Sequence, residues 1–425
     1  MKTKLIFTAF LLCTTTLFGQ WTPVNNGLPD FPPTAIWPLL DDMVLGTYGG
    51  GIFNTTDNGE NWNDISGNLG NLFVNDVRGF ASTTSLLVAT AGGPYSTLDL
   101  SDYSNNNSTG LSTTDVNYYW WGDEDLGGEF MVGTNGSGVF ASDDYTGPWA
   151  PSNVGVLGDG LIANDISGYQ DEDVEFAVMA TDGGTYWALD GASEWTPKNN
   201  GLSGDALKVK RIAVLGSVVF IATHGGLYFS VDLGNTWEAL ISNEKFNGLF
   251  IHATPASPSG FLVIVFGENG FYSSDFLVYY PMDFGGIDGE ATAGHANSTH
   301  LFLGFTSGKK AIAQSGGVYK KPLDQVIVGI EENTNLLAGA LLNQNYPNPF
   351  KQNTTFSYHI SQPGMVSFKI YSYTGKLVKT LVNNRQEIGD YQINFKGDEL
   401  PSGMYFYKLQ LDDNRTLTKK MLIVN

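Results

Sequence analysis

The chain has 425 residues, more than one ordinary compact core requires, which suits a large repeat fold with a smaller domain. Glycine is abundant with 52 residues, and aromatic residues reach 13% while charged residues make up only 15%, as is typical of short strands and tight turns. Residues 20–342 contain 10 Lys and Arg against 37 Asp and Glu. This acidity argues against nucleic acids and anionic membranes as partners, and its simplest role is to keep the protein soluble.

The N-terminus predicts a secretory signal peptide over residues 1–19. Lys2 and Lys4 precede the apolar run Leu5–Cys13, and small and polar residues then lead to a cleavage site near residue 19. The run is shorter than the roughly 20 residues of a membrane-spanning helix, so a membrane anchor is disfavoured. Lipidation of Cys13 is disfavoured by the bulky Leu12 before it. Since Cys13 is the only cysteine, the mature chain must fold without disulfides.

A unit of 42 to 47 residues then recurs seven times. Each unit has an apolar run, a pair of small residues and an aromatic residue; the aromatic positions are Phe53, Tyr95, Phe140, Tyr186, Tyr228, Tyr272 and Tyr319. The small residues predict tight turns between two strands, because glycine tolerates positive φ. Repeats of this length with several short strands each are typical of propeller blades.

Five of the units carry an aspartate four residues after the aromatic: Asp57, Asp99, Asp144, Asp190 and Asp232. In four of them a tryptophan follows five residues later: Trp62, Trp149, Trp195 and Trp237. The fullest copies, "TTDNGENW" (55–62) and "SVDLGNTW" (230–237), resemble the Asp-box, or BNR repeat, of sialidase-like β-propellers. We expect the aspartate to accept hydrogen bonds from turn amides and the tryptophan to pack the hairpin against its sheet, a structural rather than a catalytic role.

The first residues of the mature chain predict how the ring closes. The seventh unit lacks the closing tryptophan, and the segment "QWTPVNNGL" (20–28) matches "EWTPKNNGL" (194–202) at the end of the fourth unit. The N-terminal segment is therefore predicted to supply the outermost strand of the last blade, which protects the sheet edge. The predicted fold is all-β, with a seven-bladed β-propeller over residues 20–325.

The pattern changes after a predicted linker at residues 326–342. Residues 343–425 carry 10 Lys and Arg against 6 Asp and Glu and show alternating strands. The opening "NYPNPF", the strand "PSGMYFYKL" and the final "KKMLIV" resemble the type A C-terminal sorting domain of the type IX secretion system of Bacteroidetes. The resemblance implies a small immunoglobulin-like β-sandwich that directs the protein across the outer membrane to the cell surface or medium, with the secretion machinery as partner. An ordinary adhesive sandwich is the alternative.

The residue content disfavours several kinds of catalysis. Sialidases need three arginines to hold the substrate carboxylate, and residues 20–325 contain only Arg78 and Arg211. Xyloglucan-hydrolysing relatives typically pair two propellers around a cleft, and this chain has one. The histidines lack zinc-ligand spacing, and His295 and His300 are expected to be exposed. The acidic segments 123–128 and 171–176 lack the ligand spacing of a calcium loop, so neither a metal nor another cofactor is predicted.

Propellers usually bind ligands around the central channel, on the face where the innermost strands begin and where the second strand of each blade turns into the third. We name this the channel face. The candidate binding residues there are Trp37, Asp76, Arg78, Asp115, Asp165, Asp182, His224 and Glu268. Carboxylates mixed with aromatic rings suit sugar or peptide recognition, whereas such residues can also simply bond neighbouring backbone amides.

The favoured hypothesis is a secreted or surface-displayed propeller that binds a glycan or a protein without catalysis. The alternative is a glycoside hydrolase or lyase that uses two acids of the channel face, such as Asp76, Asp115 or Asp165. A third possibility, a resemblance to propeller assembly factors of photosystem biogenesis, is disfavoured by the sorting domain.

Overall fold

The computed structural model describes residues 20–424, apart from residues 40–41, 80–83, 104–107, 123–129, 171–174, 190–193, 255–256, 258–260, 275, 277, 307–315, 327–339, 373–376 and 412–415. The predicted signal peptide and Asp190 therefore lie outside the described residues, as do most of the two acidic segments considered for calcium. Among the described residues, none of the helices has the length and apolar character that a membrane crossing requires.

Antiparallel sheets follow one another along residues 20–326. In the first three sheets the strands are Pro33–Leu39, Asp42–Thr47, Gly51–Thr55 and Asn63–Asp64; Val74–Gly79, Leu86–Thr90 and Gly93–Thr97; and Val116–Trp121, Phe130–Thr134, Val139–Ser142 and Ala150–Pro151. In the next two they are Ala163–Gln170, Glu175–Thr181, Gly184–Leu189 and Thr196–Pro197; and Val209–Leu215, Val218–Thr223, Gly226–Ser230 and Glu238–Ser242.

The sixth sheet contains the strands Phe246–Ala253, Phe261–Gly267, Gly270–Ser273 and Tyr280–Met282. The seventh contains Ala291–Ala296, His300–Phe305 and Gly317–Pro322, with the short strand Thr22–Pro23 at its edge. The 3₁₀ helices Gly158–Leu161 and Gly204–Leu207 lie between sheets, and the helix Leu323–Val326 follows the seventh sheet. Second strands such as Val218–Thr223 are buried along their whole length, because both faces of each sheet are covered.

The first strand of each sheet, which we name its inner strand, contacts the inner strand of the next sheet, and Ala291–Ala296 contacts Pro33–Leu39. Every inner strand has a β-bulge at its second residue, so the register with the second strand shifts there. A bulge re-aims the extra residue's side chain. The bulged residues are Thr34, Asn75, Asn117, Asn164, Lys210, Asn247 and Thr292.

Six of these bulged residues hydrogen-bond to the next sheet. In each case the side chain donates to the backbone carbonyl of the first residue of the neighbouring inner strand: Thr34 to Val74 (2.8 Å), Asn75 to Val116 (2.8 Å), Asn117 to Ala163 (3.1 Å), Asn164 to Val209 (2.8 Å), Asn247 to Ala291 (3.2 Å) and Thr292 to Pro33 (2.7 Å). Lys210 is the exception, since its ammonium binds Asp182. One recurrent polar position therefore supplies a hydrogen bond at six of the seven junctions between inner strands.

Residues 340–424 form a β-sandwich. One sheet contains Ala340–Leu342, Asn353–Ile360 and Gly389–Lys396, and the other contains Gly364–Ser372, Leu377–Gln386, Gly403–Leu411 and Thr416–Ile423; the 3₁₀ helix Gly397–Glu399 follows the first. Phe356 from one sheet packs against Phe368 and Tyr407 from the other. Ala340–Leu342 falls within the segment predicted as linker, yet it pairs with Tyr358–Ile360 because its apolar residues extend the buried face.

The sandwich also contacts the sheets of the N-terminal region. Leu422 in its last strand belongs to the same buried cluster as Phe229 and Phe276. These two residues lie at or after the ends of third strands, close to the turns that lead into the fourth strands. The contact is therefore at the opposite end of the sheets from the channel face.

Candidate functional site

The inner strands surround a cavity of about 320 Å³, which we name the central cavity. Four of the residues predicted for ligand binding line it: Trp37, Asp76, Arg78 and Asp165. Arg211 and His295 line it as well, together with apolar residues of the sixth sheet such as Phe250. The cavity thus has a charged wall from the second, fourth and fifth sheets and an aromatic wall from the first, sixth and seventh.

Arg78 is the centre of the charged wall. Its Nε donates to Asp76 Oδ2 at 2.9 Å, and its Nη2 lies 3.5 Å from Asp165 Oδ1. The guanidinium carbon is 4.7 Å from the centre of the Trp37 ring and 4.5 Å from that of Tyr118, within the range of cation–π attraction. Burial alone would lower the pKa of Arg78, but the two carboxylates outweigh it and raise that pKa. The guanidinium is therefore a permanent cation.

Asp165 is held on both of its carboxylate oxygens. Oδ2 accepts from the backbone N–H of Ile212 at 2.9 Å, and Oδ1 accepts from its own strand at Ile166 at 3.0 Å. Burial raises the pKa of Asp165, while Arg78 and Arg211 oppose that rise. Its side chain is only 3% exposed. The bond from Ile212 joins the fourth sheet, which contains Asp165, to the fifth.

His295 is part of the aromatic wall, which corrects the expectation that it is exposed. Its ring stacks on Phe250 with the centres 4.7 Å apart, and the edge-to-face partner Trp37 lies at 5.3 Å. Burial lowers the pKa of His295 to about 4, although its bond to Ala296 acts in the opposite direction. The imidazole is therefore neutral at pH 7. Its strand position alone did not reveal this, because the covering rings come from other sheets.

A second cavity of about 380 Å³, which we name the mouth cavity, lies where the inner strands begin. Thr34, Arg211 and Thr292 line both cavities. The guanidinium of Arg211 donates to the backbone carbonyls of Asn164 and Lys210, and no carboxylate among the described residues lies within 4 Å of it. In the sequence, Arg211 stood out only as one of the two arginines of residues 20–325. In the structure it follows the bulged residue Lys210 and lines the mouth cavity.

The other four predicted residues do not line the central cavity. Asp115 accepts hydrogen bonds from Asn75 (3.3 Å) and Asn135 (2.9 Å). Asp182 binds Lys210 and Asn164; burial would raise its pKa, but these bonds produce a net lowering.

His224 is half-buried, and burial together with Lys210 lowers its pKa. Glu268 is exposed. These two lie with Asp115 and Asp182 around the rim of the channel face. An acid pair that includes Asp115 is therefore not assembled in the central cavity.

The aspartates of the third-to-fourth turns make the local contacts expected of them. Asp57 accepts from the backbone N–H of Asn61 and Asp232 from that of Thr236, each at 2.9 Å. Bonds to the side chain and the backbone of Asn61 lower the pKa of Asp57. These carboxylates are therefore engaged in holding their turns.

The tryptophans near these turns also make contacts between sheets, which the expected packing of each hairpin against its sheet did not include. The indole N–H donates to the carbonyl of the residue that follows the outermost strand of the preceding sheet: Trp62 to Val24 (2.8 Å), Trp195 to Ser152 (2.9 Å), Trp237 to Lys198 (2.9 Å) and Trp21 to Asp283 (2.9 Å). An indole N–H that is buried needs such a partner. Trp21 thus makes the same kind of contact as Trp195.

No group of three or more His, Cys, Asp or Glu in the described part of the chain is arranged to hold a metal ion. The charged groups of the central cavity instead form ion pairs and backbone bonds. A ligand could therefore contact the aromatic wall of the central cavity, the N–H donors of Arg211, and the amide and hydroxyl groups that line the mouth cavity.

Several solved structures are similar to this chain in fold. The extracellular domain of the hybrid two-component system BT4673 from B. thetaiotaomicron has a TM-score of 0.53 at 11% identity, over 95% of this chain and 58% of that one. The GH74 xyloglucanase from Xanthomonas campestris has a TM-score of 0.51 at 11% identity, over 94% of this chain and 68% of that one. YCF48 bound to a D1 peptide has a TM-score of 0.50 at 13% identity, over 72% of this chain and 94% of that one.

These structures are β-propellers, and at such low identity the similarity shows the fold alone. The chain spans 58% of the length of BT4673's domain, so that protein's activity is not transferred to it. No protein of curated function matches the chain.

Residues 344–424 match the family described as the secretion system C-terminal sorting domain. This domain confirms the prediction made from "NYPNPF" and the last strand. The protein is exported through the type IX secretion system to the cell surface or the extracellular space.

Proposed function

We propose that the protein is a secreted or cell-surface seven-bladed β-propeller, closed by its N-terminal strand, that binds an extracellular glycan or protein at the channel face without catalysis. In this proposal residues 1–19 are a signal peptide, residues 20–325 are the propeller and residues 343–425 are the sorting sandwich. The turns around Asp57 and Asp232 are Asp-boxes with a structural role. The contact of Leu422 at the opposite end of the sheets leaves the channel face available to a ligand.

Closure by the N-terminal strand is supported by equivalent contacts. Thr22 pairs with Lys320 and Pro23 with Tyr319 in the seventh sheet. Asn25 Oδ1 then accepts from the N–H of Val318 at 2.7 Å, and its sequence equivalent Asn199 accepts from Thr185 at 2.8 Å. The segment that begins the mature chain therefore behaves like the outermost strand of the fourth sheet.

The absence of catalysis is supported chiefly by the engagement of both carboxylates in the central cavity. Arg78 pairs with Asp76 and Asp165, and both oxygens of Asp165 accept backbone N–H groups. A glycosidase needs one carboxylic acid that can give a proton to the substrate and a second carboxylate free to attack or to activate water. Here both carboxylates bind the Arg78 cation, and the side chain of Asp165 is only 3% exposed.

A glycoside hydrolase or lyase acting on an extracellular polysaccharide is the second candidate. It is favoured by one observation, that burial raises the pKa of Asp165 as a general acid requires. Asp76 would then be the second carboxylate, since Asp115 points away from the cavity towards Asn75 and Asn135.

Purified mature chain, residues 20–425, distinguishes the two. It is incubated with a panel of neutral and acidic polysaccharides, and both binding and new reducing ends or unsaturated products are measured. We expect binding without turnover. Turnover by the wild-type protein that disappears in a folded Asp76→Asn or Asp165→Asn variant would overturn the binding proposal in favour of the second candidate.

A further inference from the structure

The channel face is chemically uneven although its framework repeats. Around the fourth to seventh sheets the rim carries charged residues such as Asp182, Lys210 and Glu290. At the junction of the first and second sheets it carries apolar residues instead, and their exposed fractions are Phe31 44%, Tyr48 47%, Leu72 41% and Phe73 47%. We name these four residues the aromatic platform. A cluster of exposed large apolar side chains is a typical sign of a binding surface.

Backbone hydrogen bonds hold the platform in place. Tyr48 and Phe73 form an isolated β-bridge, and their ring centres lie 5.1 Å apart at an interplanar angle of 63°. The N–H groups of Gly49 and Gly51 both donate to the carbonyl of Leu72, at 3.0 and 3.1 Å. Gly49 has a φ of +112°, and a Cβ there would lie 3.1 Å from the ring of Phe31, so the turn accommodates this ring closely. The rings are thus presented on a preformed surface.

Tyr48 also lines the mouth cavity, which joins the platform to polar groups. Asn75 and Asn247 line the same cavity, and each uses its Nδ2 to bind the neighbouring sheet. Neither side-chain Oδ1 accepts a hydrogen bond from the described residues, so both are available to hydroxyl donors. Arg211 adds a donor that has no carboxylate partner in the described part of the chain. Apolar ring faces beside a few acceptors and donors match the two kinds of surface of a sugar ring.

The charges around the mouth favour a neutral ligand. Lys210 pairs with Asp182, Lys245 pairs with Glu290, and Arg78 pairs with Asp76 and Asp165. Arg211 is the one mouth cation among the described residues without such a partner, and it lies in a region of strong net negative charge. A polyanion would be repelled by that field over a longer range.

We propose that the aromatic platform binds the sugar rings of a neutral, gluco-configured polysaccharide, with the adjoining residues placed in the mouth cavity. This inference rests on the proposed binding function and names its ligand class. In gluco-configured rings the hydroxyl groups are equatorial, so the C–H groups form apolar faces that stack on Tyr48 and Phe73. The hydroxyls then reach Asn75, Asn247 and Arg211.

Cellohexaose, laminarihexaose and maltohexaose are titrated separately into the mature chain by calorimetry, with oligogalacturonate as the anionic probe. We expect at least one neutral hexasaccharide to bind, and Tyr48→Ala or Phe73→Ala to weaken it about tenfold or more. Tyr48→Phe keeps the ring and should retain most of the affinity. Leu157→Ala is the matched control, because Leu157 is 76% exposed on the connection to the fourth sheet and lies outside the platform.

The outcomes separate this inference from the proposed function. Binding of a neutral hexasaccharide that Tyr48→Ala and Phe73→Ala leave unchanged would overturn the platform but keep the binding module. Failure of all three neutral probes against folded protein, or platform-dependent binding of oligogalacturonate instead, would overturn the ligand class. Cleavage of the bound hexasaccharide would overturn the non-catalytic function while leaving the platform in place.

Discussion

The hydroxyl Oγ1 of Thr292 donates a hydrogen bond to the carbonyl of Pro33 at 2.7 Å, although the two residues are 259 positions apart in the sequence. The bond joins the inner strand of the seventh sheet to that of the first. It is the counterpart of the bond from Thr34 to Val74, which joins two sheets that are adjacent in the chain. The junction between the seventh and first sheets thus uses the same side-chain position as a junction between sheets that are adjacent in the chain.

Replacing Thr292 by valine tests this junction. The change keeps the shape of the side chain and leaves the carbonyl of Pro33 without its donor, so we expect the free energy of unfolding to fall by about 1 to 2 kcal/mol. Unfolding is followed by tryptophan fluorescence, because all nine tryptophans lie within residues 20–325. Thr34→Val is the matched control and should have a similar effect. A neutral Thr292→Val beside a destabilising Thr34→Val would argue against a closed ring of equivalent junctions.

The proposed closure by the N-terminal strand is tested at Trp21. Trp21→Phe keeps an aromatic ring beside Phe284 and Phe305 but removes the N–H that donates to Asp283. We expect a loss of about 1 to 2 kcal/mol from the smaller ring and the missing bond, measured by chemical denaturation. Trp195→Phe removes the equivalent bond to Ser152 and should behave alike. An unchanged stability of Trp21→Phe would mean that the N-terminal strand contributes little to the folded ring.

Local sequence patterns predicted the strands well, but they predicted few of the contacts between sheets. The apolar run and small-residue pair before Phe53 or Tyr228 specify a hairpin within about a dozen residues, so the all-β, propeller-type fold was readable. The bond from Arg78 to Asp165 spans 87 residues, and it depends on how two bulged strands face each other. The second residue of every inner strand is polar, and this recurrence can be seen in the sequence. Its role in bonding the next sheet could not be predicted, because it depends on the bulge that directs the side chain there.

Removing the cation of the charged wall should strongly destabilise the protein. Arg78→Met preserves much of the side-chain volume but leaves Asp76 and Asp165 without their partner. Loss of one member of a buried ion pair typically costs about 3 to 5 kcal/mol. The matched control is the triple variant Arg78→Met, Asp76→Asn, Asp165→Asn, which should recover part of the stability at pH 7. A loss below about 1 kcal/mol for Arg78→Met would show that water reaches these carboxylates.

The burial of His295 predicts a specific pH dependence. Its pKa is about 4 in the folded protein and about 6.5 when unfolded, so the unfolded chain binds the proton first as the pH falls. The stabilisation is fully present above pH 6.5 and decreases towards pH 4, by at most about 3 kcal/mol. Arg78 and His252 face the same ring and are unchanged in His295→Phe. We therefore expect the stability difference between wild type and this variant to change in favour of the variant between pH 7.5 and pH 4, as measured by denaturation at each pH. A difference that stays constant over this range would mean that His295 is hydrated and not enclosed by Trp37 and Phe250.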